Sequence, residues 1–193
     1  HEWVIAALGA LTAGGVIVPL NTRFKGEEAA YALSRSRARF LCCVNGFLGN
    51  EYVTMLRAAD TNVPDLITIV VLRGDAPDNT VSWAHFVSAA NTVSTTQLDE
   101  RVASISASDL SDIIFTSGTT GRPKGVMATH EQNLRVFEDW ASIIGLAQGD
   151  RYLIVNPFFH TFGYKAGIIA SLLKGATIIP EAIFDVQAVL QHV

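Results

Sequence analysis

A loop rich in glycine and hydroxyl residues, with a lysine near its end, follows an apolar run in the middle of the chain. It reads IFTSGTTGRPKGV from Ile114 to Val126. Glycines allow consecutive backbone N–H groups to turn toward one anion. Neighbouring hydroxyls add donors, and a lysine ammonium supplies a point charge for phosphate oxygens. The loop therefore predicts a polyphosphate site formed by Thr116, Ser117, Gly118, Thr119, Thr120, Gly121 and Lys124.

The spacing argues against two common nucleotide-binding motifs. A Walker loop has glycine before its lysine and serine or threonine after it. Here Pro123 precedes Lys124 and Gly125 follows it, and the dinucleotide pattern GxGxxG is missing from the sequence. Composition alone also leaves open a solvated surface loop, since loops of glycine, serine and threonine are common.

Three segments, in order, resemble the adenylate-forming enzymes, which include acyl- and aryl-CoA synthetases, luciferases and adenylation domains of peptide synthetases. TSGTTGRPKG resembles their phosphate loop. Upstream, LGALTAGGVIVPLNTRF resembles their helix–strand segment that ends in a proline. Downstream, NPFFHTFGYKAG resembles the segment that carries an acid-pocket histidine. The sequence is most similar in character to bacterial fatty-acyl-CoA synthetases.

The resemblance implies that a carboxylic acid and ATP give an acyl-adenylate and pyrophosphate, and that CoA then takes the acyl group. It places Thr116–Lys124 around the β- and γ-phosphates, with Lys124 and His160 as catalytic residues. His160, Phe162 and Gly163 would bind the acid, and a structural histidine is the alternative at His160. Aromatic neighbours that exclude water favour the functional interpretation. Tyr164 and Lys165 suggest that part of the acid pocket is polar.

The implied cofactors and substrates are ATP, Mg²⁺ and CoA, with an apolar acid that is fatty, aryl or ring-fused. No metal ligand is assigned within this chain. The implied location is the cytoplasm, and the implied role is in fatty acid and lipid metabolism. Peripheral membrane contact and a homodimer are compatible with both. Three alternatives remain open: an acyl-AMP ligase that loads a carrier protein, a non-catalytic nucleotide-binding module, and an inert structural domain.

The resemblance also implies that residues 1–193 are part of a large N-terminal AMP-binding domain. The family's adenine-binding segment, with a glutamate that helps to hold magnesium, and its small C-terminal domain have no match here. We therefore expect the chain alone to be inactive, although its full-length parent would be an acid–thiol ligase.

Composition narrows the possible partners. The net charge is -4 with no long run of one sign, so nothing indicates nucleic-acid binding. Charged residues are 17 % of the chain, below the roughly 25 % of ordinary domains, which suggests that something outside the chain covers part of its surface. Trp3–Leu20 has the minimum length of a membrane span, but Gly14-Gly15 and a β-branched tail favour a helix followed by a buried strand. Cys42 and Cys43 are expected to be buried free thiols.

Alternating helix and strand patterns predict an α/β fold with a mostly parallel sheet and flanking helices. Thr129 and Gln132 form an N-terminal capping box for one helix, which Gly145 ends. Asp109 and Asp112 are interpreted as turn or surface residues. The predicted helices are Trp3–Thr12, Glu27–Ser36, Tyr52–Ala59, Glu131–Ile144, Ala166–Leu173 and one starting at Val186. The predicted strands are Val16–Val18, Phe40–Val44, Ile67–Leu72, Asp112–Phe115, Gly125–Ala128, Tyr152–Val155 and Thr177–Ile179, with polar connections at Asp75–Thr80 and Asn91–Gln97.

Overall fold

Short sheets and flanking helices alternate along the chain in the computed structural model, which describes residues 1–116 and 121–192. The helices in these ranges are α1 Glu2–Thr12, α2 Gly26–Ser36, α3 Tyr52–Arg57, α4 Trp83–Ser88, α5 Thr95–Ala103, α6 His130–Ile143, α7 Ala170–Lys174 and α8 Val186–His192. The strands are β1 Phe40–Val44, β2 Thr68–Arg73, β3 Val81–Ser82, β4 Leu110–Thr116, β5 Lys124–Thr129, β6 Arg151–Ile154 and β7 Thr177–Pro180. A π-helical segment, Phe162–Ile169, runs directly into α7.

The strands form two parallel sheets and one antiparallel hairpin. Strands β1, β2 and β3 pair in that order and in parallel, and β6 pairs in parallel with β7. Between them, β4 and β5 are antiparallel because only the loop after Thr116 separates them. The predicted α/β class with parallel pairing is confirmed, with this hairpin as its antiparallel part.

The predicted strand Val16–Val18 is wrong. Ile17 alone makes a parallel bridge with Asp112: its N–H donates to the Ser111 carbonyl at 3.0 Å, and its carbonyl accepts from Ile113 N–H at 2.9 Å. The next residue that would donate a hydrogen bond to β4 is Pro19, which has no backbone N–H. The pairing therefore stops after one residue.

The segment predicted as a polar connection at Asn91–Gln97 runs instead into helix α5. Ser94 is its N-cap: Ser94 Oγ accepts from Gln97 N–H at 3.2 Å, while Gln97 Oε1 accepts from Ser94 N–H at 2.9 Å. The same reciprocal capping box was correctly predicted for α6, where Thr129 and Gln132 form it. Helix α4 was also missed, and it begins at an N-cap serine, Ser82.

The core between α2 and α3 is built from small and aliphatic side chains. Ala30, Leu33 and Leu56 are its buried centre. Both cysteines of β1 are free, as predicted, but the prediction that they are buried is wrong: Cys42 is exposed and Cys43 is half-buried. Helix α1 ends at Thr12, within the long apolar stretch. None of the helices in the described ranges combines the length and hydropathy that a membrane crossing requires.

A bidentate ion pair ties the end of β2 to the first turn of α1. Arg73 Nη2 donates to both Glu2 carboxylate oxygens at 2.7 and 2.8 Å. This hydrogen bonding by Arg73 is the main reason that the pKa of Glu2 is lowered to about 2. A carboxyl group with a lowered pKa stabilises the fold above its unfolded pKa, and this contribution is lost as the pH falls toward the folded value.

We therefore expect Arg73→Met to lower the Tm at pH 7, and the difference from the unsubstituted protein to shrink as the pH falls from about 4.5 to 2. Thermal unfolding followed by circular dichroism across this range would measure it. The control is Arg39→Met, at an exposed arginine just before β1. A Tm difference that stays constant down to pH 2 would contradict this role for the pair.

Candidate functional site

The hairpin β4–β5 brings the two ends of the predicted phosphate loop together. Thr116 is the Cα partner of Lys124, and its hydroxyl donates to the Lys124 carbonyl at 3.5 Å. Gly121 has a positive φ of 157°, and nothing lies within 4 Å of where its Cβ would be. The predicted ligands Ser117, Gly118, Thr119 and Thr120 lie outside the described residues. The hairpin thus places Thr116 and Lys124 side by side at the base of the loop.

The two cations of this hairpin have different surroundings. Arg122 stacks over the ring of Tyr31 on α2, with its guanidinium carbon 5.3 Å from the ring centre. The Tyr31 hydroxyl donates to the Pro123 carbonyl at 3.3 Å, and its ring meets Phe115 edge to face. Lys124 is exposed, at the first position of β5. Because an aromatic face holds Arg122, Lys124 is the better placed of the two to reach a ligand.

His160 follows β6 in a turn that a proline initiates. Its N–H donates to the Pro157 carbonyl at 3.0 Å, and its side chain is exposed. The ring Nδ1 accepts a hydrogen bond from Phe162 N–H at 3.2 Å. A neutral histidine whose Nδ1 is an acceptor carries its proton on Nε2. His160 can therefore offer an Nε2–H donor to a carboxylate.

Phe162 and Gly163 begin the π-helical segment, and they differ in exposure. Phe162 is 47 % exposed and meets Trp140 of α6 edge to face, with ring centres 5.3 Å apart. Gly163 is buried, and a Cβ there would lie 2.3 Å from the Pro157 carbonyl oxygen and 2.4 Å from that of Asn156. Glycine is thus required by the packing of this turn. Its predicted part in binding the acid stays a prediction.

A buried ion pair joins this segment to β4. Lys165 Nζ lies 2.8 Å from Asp112 Oδ1, and the two side chains are 8 % and 0 % exposed. Asn133 of α6 accepts from Lys165 Nζ at 2.7 Å through Oδ1 and donates to Asp112 through Nδ2. The interpretation of Asp112 as a turn or surface residue is wrong, whereas Asp109 does close a turn by accepting from Ser106 N–H at 2.8 Å.

This pair also changes the interpretation of Lys165, which the sequence suggested as a polar group of the acid pocket. Its ammonium is neutralised by Asp112 inside the protein. A signal existed in the sequence, because one aspartate stands in the apolar strand LSDIIF and one lysine in the apolar stretch YKAGII. Charges in apolar runs are rarely buried unless they are paired.

An apolar cavity of about 240 Å³ lies beside the buried pair. It is bounded by α1, α6, the π-helical segment and α7. Tyr164, 2 % exposed, is one of its polar walls. Burial, and then the nearby charge of Asp112, raises the pKa of the Tyr164 phenol, which is therefore a neutral hydroxyl at physiological pH. The cavity is lined by Leu8, Leu11, Ser111, His130, Asn133, Leu134, Tyr164, Ile169, Leu172 and Leu173.

The predicted residues thus fall into two groups on separate elements. Thr116 and Lys124 lie together at the hairpin, and His160, Phe162 and Gly163 lie together where the π-helical segment begins. The ion pair between Asp112 and Lys165 connects these elements. A cation with hydroxyl and backbone donors suits phosphate, and a histidine donor beside an aromatic ring suits a carboxylate on an apolar molecule.

Comparison with known proteins identifies one family. The family model described as AMP-binding enzyme matches residues 1–192. A Rhodococcus jostii protein named 3-[(3aS,4S,7aS)-7a-methyl-1,5-dioxo-octahydro-1H-inden-4-yl]propanoyl:CoA ligase is 41 % identical over 100 % of the chain and 38 % of its own length. A Mycobacterium tuberculosis protein of the same name is 44 % identical over 95 % of the chain and 35 % of its own length. The chain therefore spans just over a third of these relatives.

Comparison of the fold with solved structures agrees with the family assignment. A solved structure described as a Mycobacterium tuberculosis fatty acyl CoA synthetase superposes with a TM-score of 0.76 at 25 % identity. The match covers 98 % of this chain and 34 % of that protein.

Proposed function

Because the chain belongs to the AMP-binding enzyme family, we propose that it is the phosphate-loop and acid-binding part of an ATP-dependent acyl-CoA ligase. The observation that carries the proposal is the pairing of two sites on one scaffold: the exposed Lys124 at the hairpin and the Nε2–H donor of His160. Two relatives that match nearly the whole chain are both named CoA ligases, which supports the same reaction.

In this reaction a carboxylate oxygen of the acid attacks the α-phosphorus of ATP, and pyrophosphate leaves. A thiol then attacks the acyl carbon, and AMP leaves. Lys124 neutralises charge on the β- and γ-phosphates, which grows as pyrophosphate departs. His160 orients the attacking carboxylate through its Nε2–H, and the aromatic ring of Phe162 excludes water. The acceptor thiol is CoA, with a carrier protein as the alternative.

Mg²⁺ would neutralise phosphate charge when it is bound. The described residues contain no group of three or more acidic, histidine or cysteine side chains that could hold a metal ion. These residues do not by themselves fit a metal site, so no step on this chain is assigned to the metal. We propose that residues 1–193 are part of a larger N-terminal domain and that the remaining ligands lie in the rest of the protein.

The substrate that we propose is an apolar, ring-fused carboxylic acid. The support is the name of the two relatives, whose acid is a methyl-dioxo-octahydroindenyl propanoate. The cavity beside Tyr164, on the same π-helical segment as Phe162, is mainly aliphatic with a few polar walls, which is compatible with a ring system that carries carbonyl oxygens. A fatty acid is the second candidate, because the structural neighbour is a fatty acyl CoA synthetase. We propose a role in lipid metabolism with either acid, and a location in the cytoplasm.

Acid-dependent ATP–pyrophosphate exchange by the full-length protein tests the function. We expect exchange with a bicyclic propanoate at the highest kcat/KM, a lower value with a fatty acid of similar carbon number, and thioester formation only when CoA is added. The 193-residue chain alone is the control and should form no thioester. Exchange with none of the fatty, aryl and ring-fused acids would contradict the proposed function, and thioester formation by the chain alone would contradict the proposed domain boundary.

A further inference from the structure

The predicted site residues form two half-sites: Thr116 and Lys124 at the hairpin, and His160, Phe162 and Gly163 at the start of the π-helical segment. The elements that carry the half-sites are joined by an ion pair that the reaction itself does not use. Asp112 lies on β4, four residues before Thr116 at the base of the phosphate loop. Lys165 lies in the π-helical segment, five residues after His160. Their ion pair, 2.8 Å long and out of contact with solvent on the Asp112 side, is a direct link between the two segments.

Asn133 connects the ion pair to a third element, helix α6. It is 4 % exposed, lies on the first turn of α6, and contacts both charged groups through opposite ends of its amide. Its Nδ2 also donates to the Ser111 hydroxyl at 3.2 Å. Because α6 follows directly from β5, the network fixes the strand that enters the loop, the helix after the strand that leaves it, and the segment that carries His160.

The location of the network suggests a positioning role. A buried ion pair adds little net stability, because desolvation of both charges offsets their attraction. An aliphatic pair would fill the same space, so stability alone gives no reason for charges here. What a buried pair with a shared amide does provide is a defined geometry, because Asn133 contacts both charged groups and thereby fixes their orientation.

We propose that Asp112, Lys165 and Asn133 form a positioning network that sets the distance between the base of the phosphate loop, at Thr116 and Lys124, and His160. The inference rests on the proposed function. The network aligns the carboxylate that His160 orients with the α-phosphorus of an ATP bound at the loop. Loss of the network should therefore reduce the rate of the adenylation step more than the binding of either substrate, because each half-site stays intact while their mutual alignment is lost.

The test compares variants of the full-length protein in ATP–pyrophosphate exchange. Lys165→Met removes the ammonium but leaves Asp112 as a buried unpaired charge, so it can fail to fold. The double variant Asp112→Asn, Lys165→Met removes both charges and leaves no unpaired charge in the interior, so we expect it to fold. We expect the folded double variant to lose at least tenfold in kcat, while the KM for ATP and the KM for the acid each change less than threefold.

A matched control is an ion pair between α6 and α7. Lys174 of α7 pairs with Glu138 of α6 at the surface end of this packing. Lys174→Met removes a lysine that joins α7 to α6 and makes no contact with Asp112 or Asn133, and we expect its kcat to stay within twofold of the unsubstituted protein.

Different outcomes would contradict the positioning role and the proposed function. A folded double variant with less than a tenfold loss in kcat would overturn the positioning role, as would a loss confined to the KM of one substrate. An equal loss in Lys174→Met would also overturn it, because any ion pair on α6 would then have the same effect. If the unsubstituted protein gave no exchange with any acid, the proposed function would fail, and this inference with it.

Discussion

Lys124→Ala is expected to slow adenylation about ten- to a hundred-fold in the full-length protein. Charge-assisted contacts contribute about 1.5–3 kcal/mol each, which corresponds to that range of rates. Lys124 is exposed at the base of the loop and is the cation best placed to contact the departing phosphates. The measurement is acid-dependent ATP–pyrophosphate exchange, after circular dichroism has shown that the variant is folded.

The matched control for this experiment is Arg122→Ala, which removes the other cation of the hairpin. Arg122 is exposed but stacked on the ring of Tyr31. An exposed cation–π contact contributes about 0.5–1 kcal/mol. We expect a two- to fivefold loss at most, which is the range that this free energy allows. If Arg122→Ala proved more damaging than Lys124→Ala, the assignment of Lys124 as the phosphate ligand would be wrong.

His160→Ala is expected to lower kcat/KM for the acid by about ten- to a hundred-fold and to leave the KM for ATP nearly unchanged. The reason is the loss of a charge-assisted hydrogen bond from Nε2–H to the acid's carboxylate, which contributes about 1.5–3 kcal/mol. The side chain is exposed and its Nδ1 is already engaged by Phe162 N–H, so the effect on folding should be small. Initial rates with the acid and ATP varied separately would measure both terms.

Two further variants sharpen the result for His160. His160→Gln keeps an N–H donor and should recover part of the lost activity, whereas His85→Ala, at a histidine of α4 far from these segments in sequence, should behave like the unsubstituted protein. A change confined to the KM for ATP would contradict the assignment of His160 to the acid pocket.

The sequence predicted the elements that have a strong local signal. The bounds of β1 match, and α6 begins at the predicted cap because Thr129 and Gln132 satisfy one another's backbone N–H groups. Helix α5 was missed although it has the same kind of cap. Its apolar pattern is short, because only Leu98 and Val102 stand one helical turn apart, and both are exposed in the structure.

The sequence shows that Asp112 and Lys165 each stand in an apolar run, but not that they pair with one another. Asp112 precedes a glycine-rich loop and follows serine-rich residues, and this local pattern is typical of a turn. Its partner Lys165 is remote in the chain, and only the tertiary fold brings the two together. The predicted chemistry of the loop depended on local residue types, and that of His160 on the resemblance of its segment to a family. The connection between them is a long-range property.

The π-helical winding of Phe162–Ile169 bears on how such a protein can change over evolutionary time. Six consecutive residues of it, Gly163 to Ile168, are buried, so this stretch has no outward face on which neutral substitutions could accumulate. A one-residue deletion in the segment before Lys165 would rotate every later side chain by about a quarter of a turn and withdraw Lys165 from Asp112. A change in acid preference would therefore arise most easily at the ends of the segment, where Phe162 is partly exposed and Ile169 lines the cavity, or in the helices packed against it.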